Sequence, residues 1–173
     1  MNNQGPITGV GVMIFKEGNA LFGKRKGSHG AGEWGFPGGK VELGESWKPT
    51  LIRETREETG IEIYHPEFIC LANIKQYIIE GPSKHYTHLG YRAFWKFGEA
   101  RVIELEKCEE WIWRPLWDYP EPLFIPTLVT IASYIEKKPF YDHDDVEEAI
   151  RNFKREFVKD YFAKRSSFRY RNP

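Results

Sequence analysis

Residues 39–61, GKVELGESWKPTLIRETREETGI, carry three glutamates at helical spacing. Glu54, Glu57 and Glu58 stand at i, i+3 and i+4, so a helix places their carboxylates on one face. Three anions on one face repel each other unless solvent or a cation compensates their charge. Carboxylate oxygens with no His or Cys among them suit Mg²⁺ or Mn²⁺ rather than Zn²⁺. The stretch therefore predicts a helix that binds a hard divalent cation.

The wider spacing of this stretch resembles the Nudix box, G-x5-E-x7-R-E-U-x-E-E-x-G-U, in which U is a bulky aliphatic residue. Eight of its nine defined positions match. The exception is Thr55, which we expect to affect the packing of the helix rather than the metal ligands. An ordinary acidic surface helix would account for Glu57 and Glu58. It would not account for Glu45, Arg53 and the glycines at these distances.

Hydrophobic periodicity outside the box predicts a mixed α/β fold. Alternation and turn signals predict strands at residues 9–15, 20–24, 68–79, 85–97 and 109–114, with turns at residues 16–19 and 80–83. Helices are predicted from an N-cap at Ser46 to Gly60, over residues 126–138, and from about Asp144 to Tyr161. The resemblance, which covers about residues 5–138, implies the same architecture. The implied architecture is an α/β/α sandwich with a mixed sheet and a loop–helix–loop Nudix motif.

Two parts of the chain are expected: a Nudix hydrolase domain over residues 1–140, and a C-terminal helix with a basic tail over residues 141–173. The predicted third helix carries an apolar stripe, formed by Val146, Ile150, Phe153, Phe157 and Tyr161. Such large side chains must pack on something, either their own domain or a second subunit. We expect packing on their own domain, and the sequence leaves a monomer and a homodimer both open.

The composition is that of an ordinary globular protein: 173 residues, of which 40% are hydrophobic and 29% charged, with zero net charge. No apolar run approaches the roughly 20 residues of a membrane helix, and the first residues lack the pattern of a signal peptide. Cys70 and Cys108 show no metal-binding spacing, so we expect reduced thiols in a cytoplasmic protein. Basic residues concentrate at the C-terminal end, where residues 151–173 hold eight Lys or Arg against two acidic residues.

The resemblance implies a role for each charged group of the box. Three carboxylates are implied as ligands of the cation: Glu54, Glu57 and Glu58. The Gly39 carbonyl adds an oxygen ligand, and Arg53 orients a box carboxylate through a bidentate pair. Either Glu54 or Glu57 is expected to be the general base, and the sequence leaves that choice open. An acidic residue before a late strand is a further candidate ligand, with Glu109 preferred there and a solvated charge at the strand end as the alternative.

Substrate contacts are expected from residues outside the helix. Arg25, with Lys24 and Lys26 beside it, precedes a glycine-rich loop and can bind phosphates, although strand ends often carry such cations. Gly38, in the loop that leads into the box, is included in this group. Closer similarity to nucleoside triphosphate pyrophosphatases implies a base pocket formed by His88, Phe124 and Ile125. A histidine within a strand is also a common structural residue, so that alternative is kept.

Nudix enzymes hydrolyse a diphosphate linked to another moiety, so the resemblance implies a pyrophosphohydrolase that needs Mg²⁺ or Mn²⁺. Residues 23–47 resemble the nucleotide-sanitising, MutT-like branch, which implies cleavage of an NTP or dNTP to the monophosphate and pyrophosphate. The alternatives are an ADP-ribose or nucleotide-sugar diphosphatase, an RNA 5′-end pyrophosphohydrolase and a binding protein without catalysis. The intact box carboxylates argue against the last. The RNA alternative depends on the basic, aromatic residues 164–171. A basic tail that balances the charge of an acidic body is the commoner explanation of such residues. A nucleotide is therefore the expected partner.

Overall fold

The computed structural model of the protein describes residues 5–27, 29–76 and 84–164. Its elements follow in the order β1 (Ile7–Lys16), β2 (Asn19–Arg25), β3 (Trp34–Gly35), β4 (Gly38–Lys40), α1 (Trp47–Thr59), β5 (Glu62–Gln76), β6 (Lys84–Phe97), β7 (Cys108–Pro115), a 3₁₀ turn (Leu116–Asp118), α2 (Ile125–Glu136), β8 (Phe140–Tyr141), α3 (His143–Asn152) and α4 (Arg155–Ala163). The predicted α/β class is confirmed. None of the helices in the described ranges has the length and apolar character needed to cross a membrane.

The strands among the described residues form one mixed sheet in the order β3-β2-β1-β6-β5-β8, with β4 paired to β1 and β7 paired to β2. β1 runs antiparallel to β2 and parallel to β6, and it places Gly9 opposite His88. β5 runs antiparallel to β6 on its other side and places Ala72 opposite the same histidine. His88 therefore lies at the centre of the sheet, between two hydrogen-bonded neighbours.

Helices cover both faces of this sheet. Alternate residues of β1 point to opposite faces, so Val12 packs in one buried cluster with Leu51 of α1. Met13 packs in a second cluster on the other face, with Ile131 of α2. Burial of each such side chain contributes about 1.5–3 kcal/mol. The three layers are those of the predicted sandwich.

The predicted turn between β1 and β2 and the predicted ends of α1 are confirmed, except that the Ser46 side chain does not cap the helix. Glu17 and Gly18 both have positive φ, 50° and 81°, as a two-residue hairpin turn requires. Gly60 ends α1 with φ 73° and donates its N–H to the Arg56 carbonyl. Ser46 occupies the N-cap position, but its side chain makes no capping hydrogen bond. The backbone carbonyl of Ser46 instead accepts from the N–H of Thr50.

The long strand β5 begins at Glu62, earlier than the predicted residue 68. His65, with φ 58°, and the following Pro66 read as turn residues in sequence, which hid this part of the strand. The structure accommodates them as a register shift between Tyr64 and Glu67. The predicted turn at residues 80–83 lies outside the described residues.

The prediction of one third helix is wrong, because α3 and α4 are separated by Phe153 and Lys154 in extended conformations. The break changes which side chains face the core. Val158, which was not in the predicted stripe, is fully buried, whereas Phe157 is 43% exposed and Ile150 is 41% exposed. The ring of Phe153 packs between two clusters, on the side of the sheet that α2 covers.

An ion pair fixes α4 after the break. The Arg155 guanidinium lies 3.0 Å from the Asp118 carboxylate and donates to the Tyr119 carbonyl at 2.7 Å. With Val158 buried, these contacts show that the extension packs on its own domain. The expected domain boundary after residue 140 falls within β8, so the extension continues from the sheet itself. Residues 165–173, most of the expected basic tail, lie outside the described ranges.

Candidate active site

A cavity of about 450 Å³ opens between the box and the start of α2. Seven of the residues predicted from sequence line it: Arg25, Gly38, Gly39, Glu54, Glu58, His88 and Phe124. The lining also contains side chains that were not predicted, among them His29, Tyr86, Glu104, Lys107, Trp111 and Thr130. The cavity thus joins the acidic face of α1 to an aromatic region near α2.

Two glycines bring the β4 backbone against the carboxylates of α1. The Gly38 N–H donates to Glu58 Oε2 at 2.9 Å. A Cβ on Gly39 would overlap the Glu54 carboxyl, and one on Gly38 would overlap the Val10 carbonyl oxygen. A side chain at Gly39 would push β4 away from α1, and a side chain at Gly38 would push β4 away from β1. Gly38 and Gly39 are therefore required by close approach, a reason that sequence spacing alone does not supply.

Arg53 holds three carboxylates and does not itself line the cavity. Its guanidinium makes a bidentate pair with Glu45, at 2.8 and 2.9 Å. It also donates to Glu54 and to Glu57, each at 2.9 Å. Hydrogen bonds from Arg53 lower the pKa of Glu45 to about 2. The guanidinium thus positions Glu54 while Glu45 holds the guanidinium.

Glu58 is the most deeply buried of the box carboxylates. Burial raises its pKa to about 8, and the charges of Glu54 and Glu104 act in the same direction, against the Gly38 N–H. Burial also raises the pKa of Glu54, while the bond from Arg53 lowers it. Negative charge is therefore costly at this end of the cavity without a compensating cation.

Three predicted site residues lie elsewhere. Glu57 is bound to Arg53, has half of its side chain exposed and does not line the cavity. Glu109 forms an ion pair with Lys24 at 3.1 Å and does not line the cavity, so its role as a ligand remains a prediction. Ile125, the first residue of α2, is partly buried against a hydrophobic cluster and does not line the cavity.

Glu104 takes the place in the cavity that was predicted for Glu109. Its Oε2 is buried and, among the described residues, has no hydrogen-bond partner. Its other oxygen accepts from the Lys107 ammonium at 2.7 Å. The sequence 104–110 contains Glu104, Glu106, Glu109 and Glu110, so an acidic residue here was detectable. Which one faces the cavity depends on where β7 begins, at Cys108.

The oxygen donors of this region fit a hard divalent cation. Within the described ranges no group of three or more His, Cys, Asp or Glu side chains converges as a formed metal site. Nevertheless Glu54, Glu58 and Glu104 line one cavity, and the buried Oε2 of Glu104 has no hydrogen-bond partner in the described part of the chain. No histidine or thiolate ligand is required by this donor set, which is the chemistry of Mg²⁺ or Mn²⁺ sites.

The other end of the cavity is aromatic. The Arg25 guanidinium lies 4.0 Å from the centroid of the Phe124 ring and donates to the His29 carbonyl at 3.2 and 3.3 Å. The ring of His29 stacks on Tyr86, with centroids 5.4 Å apart, and meets Phe124 edge-on. Flat apolar faces of this kind can stack against a nucleobase. Arg25 lies between them and the acidic end.

His88 is buried in the wall of this cavity, with 6% of its surface exposed. Its Nε2 lies 2.9 Å from Thr130 Oγ1. Burial lowers the pKa of His88 to about 4, so the imidazole is neutral at pH 7. Cys108 also lines the cavity, and both cysteines are free thiols, as expected.

Residues 5–133 match the family described as NUDIX domain. The CTP pyrophosphohydrolase of Escherichia coli strain K12 is 44% identical over 62 residues, which cover 35% of this chain and 46% of that protein. The 8-oxo-dGTP diphosphatase of the same organism is 38% identical over 80 residues, which cover 45% and 57%. The chain thus spans about half the length of these curated relatives. Among solved structures, the MutT NUDIX hydrolase from Burkholderia pseudomallei is 32% identical with a TM-score of 0.68, covering 75% of this chain and 98% of that one.

Proposed function

The chain belongs to the Nudix hydrolase family, in its MutT-like branch, and from that premise we propose that it hydrolyses a nucleoside triphosphate. The products are the nucleoside monophosphate and pyrophosphate, and Mg²⁺ or Mn²⁺ is required. The observation that carries the proposal is one cavity with carboxylates at one end and aromatic rings at the other. A nucleotide has the matching division into an anionic polyphosphate and a flat base.

At the acidic end, Glu54, Glu58 and Glu104, with the Gly39 carbonyl, would hold the cation. When bound, the cation neutralises phosphate charge and lowers the pKa of bound water. Glu57 remains a prediction as a ligand, since it would have to leave Arg53 to reach the cavity.

Glu54 is the better candidate for the general base, because it lines the cavity and Glu57 does not. Arg53 fixes the orientation of the Glu54 carboxylate, which accepts a proton from the attacking water. Arg25, Lys26 and Lys107 also line the cavity and supply positive charge to the phosphates. Attack at phosphorus then separates the monophosphate from pyrophosphate.

The test is a panel of ribo- and deoxyribonucleoside triphosphates, ADP-ribose, nucleotide sugars and 5′-triphosphorylated RNA. Each substrate is incubated with Mg²⁺ or Mn²⁺ in ¹⁸O-labelled water, and the products are separated by chromatography. We expect monophosphate and pyrophosphate, with one label on a phosphorus product and no turnover in excess EDTA.

Glu58→Gln keeps the shape of a buried cavity residue and removes its charge, so turnover should fall by at least about 10–100-fold. Glu110→Gln, at an exposed position, is the matched control and should retain activity. Release of orthophosphate, or turnover of ADP-ribose with inert triphosphates, would contradict the proposal.

A further inference from the structure

The turn before β7 carries an acidic and a basic side chain into the same end of the cavity. The N–H groups of Lys107 and Cys108 both donate to the Glu104 carbonyl, at 3.0 and 3.1 Å, so residues 104–107 form one turn. The Lys107 ammonium lies 2.7 Å from Glu104 Oε1, and both residues line the cavity. A protein cation therefore already pairs with one of the carboxylates that would hold the divalent cation.

The backbone of this turn is fixed on both sides. Before the turn, the Arg101 N–H donates to the Thr59 carbonyl at the end of α1, over 2.9 Å. At the turn itself, the Lys26 N–H donates to the Lys107 carbonyl at 2.8 Å, and the Lys26 ammonium donates to the Leu105 carbonyl at 3.0 Å. The Lys107 side chain can therefore change its partner without displacing the turn.

The Lys107 ammonium is held less firmly than the guanidinium of Arg53. Arg53 donates four hydrogen bonds to three carboxylates. In the described part of the chain, the Lys107 side chain donates one, to Glu104. The Lys107 side chain is 58% exposed, and an exposed ion pair changes an equilibrium constant only by a factor of about 1.5–5. Its four-carbon stem is flexible, so the ammonium can leave Glu104 at little cost.

The charges of three carboxylates act on this ammonium. The hydrogen bond to Glu104 raises the pKa of Lys107, and the charges of Glu104, Glu58 and Glu54 act in the same direction, against burial. A divalent cation held by these carboxylates would be repelled by an ammonium among them and would compete with it for Glu104. The phosphate oxygens of a nucleotide are an alternative partner for the ammonium.

Resting on the proposed function, in that the ligand carries a polyphosphate, we propose that Lys107 exchanges partners when the substrate binds. Its ammonium pairs with Glu104 before the nucleotide enters. It moves to a phosphate oxygen when the nucleotide and the cation bind, which releases Glu104 to the cation. Lys107 thereby lowers the affinity for the cation alone and raises the affinity for the polyphosphate. The site favours the cation together with its nucleotide over the cation by itself.

The cation half of the exchange is tested without nucleotide. Mn²⁺ is titrated into the wild type and into Lys107→Met, which keeps the length of the stem and removes the charge. Free Mn²⁺ is measured by electron paramagnetic resonance at constant pH and ionic strength. The Kd for Mn²⁺ should be at least about threefold lower in Lys107→Met, because a competing ammonium is removed. An unchanged Kd would overturn the proposal. A higher Kd would also overturn it, since Lys107 would then only position Glu104 as a ligand.

Three further variants separate competition for Glu104 from a general effect of charge. Lys107→Arg keeps the charge and should bind Mn²⁺ within about twofold of the wild type. Lys48→Met removes an equal charge from an exposed position of α1 outside the cavity, and it should change the Kd by less than about 1.5-fold. In a Glu104→Gln background, Lys107→Met should lower the Kd by less than about twofold, because the shared carboxylate is gone. A full gain in that background, or an equal gain in Lys48→Met, would contradict the exchange.

The phosphate half is tested with pyrophosphate. Its magnesium complex is titrated by calorimetry at saturating Mg²⁺. The affinity should fall by at least about threefold in Lys107→Met, opposite in direction to the change for Mn²⁺ alone. A loosened site would lose both affinities, so opposite signs identify an exchange. Equal pyrophosphate affinity in the wild type and Lys107→Met would overturn the proposal. If triphosphates are inert, the proposed function fails, and the two titrations still decide the role of Lys107.

Discussion

The stability of the protein should decrease between pH 7 and pH 4 because of one buried histidine. His88 is buried, and burial lowers its pKa from 6.5 to about 4. In the unfolded chain the same imidazole binds a proton near its ordinary pKa of about 6.5. Between these two values the unfolded state binds more protons than the folded state, so the free energy of unfolding falls as the pH falls.

The size of the effect follows from the two pKa values. With a pKa of 6.5 in the unfolded state and about 4 in the folded state, proton linkage removes about 1 kcal/mol at pH 6, about 2 kcal/mol at pH 5 and about 3 kcal/mol at pH 4. The contribution of His88 is complete above pH 6.5 and is lost as the pH passes down through about 4. A loss of 3 kcal/mol is a large part of the roughly 5–15 kcal/mol that stabilises a domain.

The assay compares the wild type with His88→Phe by urea unfolding from pH 8 to pH 4, in buffer with EDTA. The other titrating groups are common to both proteins, so their effects cancel in the difference between the two free energies of unfolding. The substitution itself adds a contribution that does not change with pH. Relative to its value at pH 8, the stability of the variant should rise against the wild type by about 3 kcal/mol at pH 4. A difference that stays constant within about 0.5 kcal/mol over this range would refute the reasoning, as would a change of opposite sign.

Three further outcomes are expected. Glu104→Gln should lower kcat by at least about 10-fold at saturating Mg²⁺, and Glu109→Gln should lower it by less than about twofold. The reason is that Glu104 lines the cavity and Glu109 does not. A larger loss in Glu109→Gln than in Glu104→Gln in steady-state assays would favour the assignment from sequence. Gly39→Ala should abolish most turnover, since its Cβ would overlap the Glu54 carboxyl, and a folded, fully active variant by circular dichroism and assay would contradict that account. Truncation after Lys138 should lower Tm and cause aggregation in light scattering, because α3 and α4 bury side chains in the core; a truncated monomer of unchanged Tm would show that they stabilise nothing.

The box and the strand pattern were readable from sequence because they depend on near neighbours. Helical spacing puts Glu54 and Glu58 on one side of α1 wherever that helix packs. The hairpin of β1 and β2 needs two residues with positive φ, and Gly18 signals one of them directly. The departure at Thr55 is also accounted for locally, since its hydroxyl donates to the Leu51 carbonyl one turn earlier.

The break between α3 and α4 could not be predicted from local sequence patterns. An apolar stripe at spacings of three and four residues predicts one continuous helix, and no glycine or proline interrupts it. The tertiary contacts of Arg155 with Asp118 and Tyr119 lie beyond any local pattern. They fix a chain direction that buries Val158 in place of Phe157.

The sequence by itself determined the family, the acidic helix and the kind of cation that its oxygens suit. These features depend on the type and spacing of residues that are close together in the chain. The tertiary structure alone decided that Glu104 enters the cavity and Glu109 does not, because that depends on the first residue of β7. It alone decided that Glu57 stays with Arg53. It also decided that His88 of β6 meets the Thr130 hydroxyl, since Thr130 comes from a different element, α2. Parallel pairing of β1 with β6 and packing of α2 on the sheet bring these groups together, and such long-range contacts are set by the whole fold rather than by any one segment.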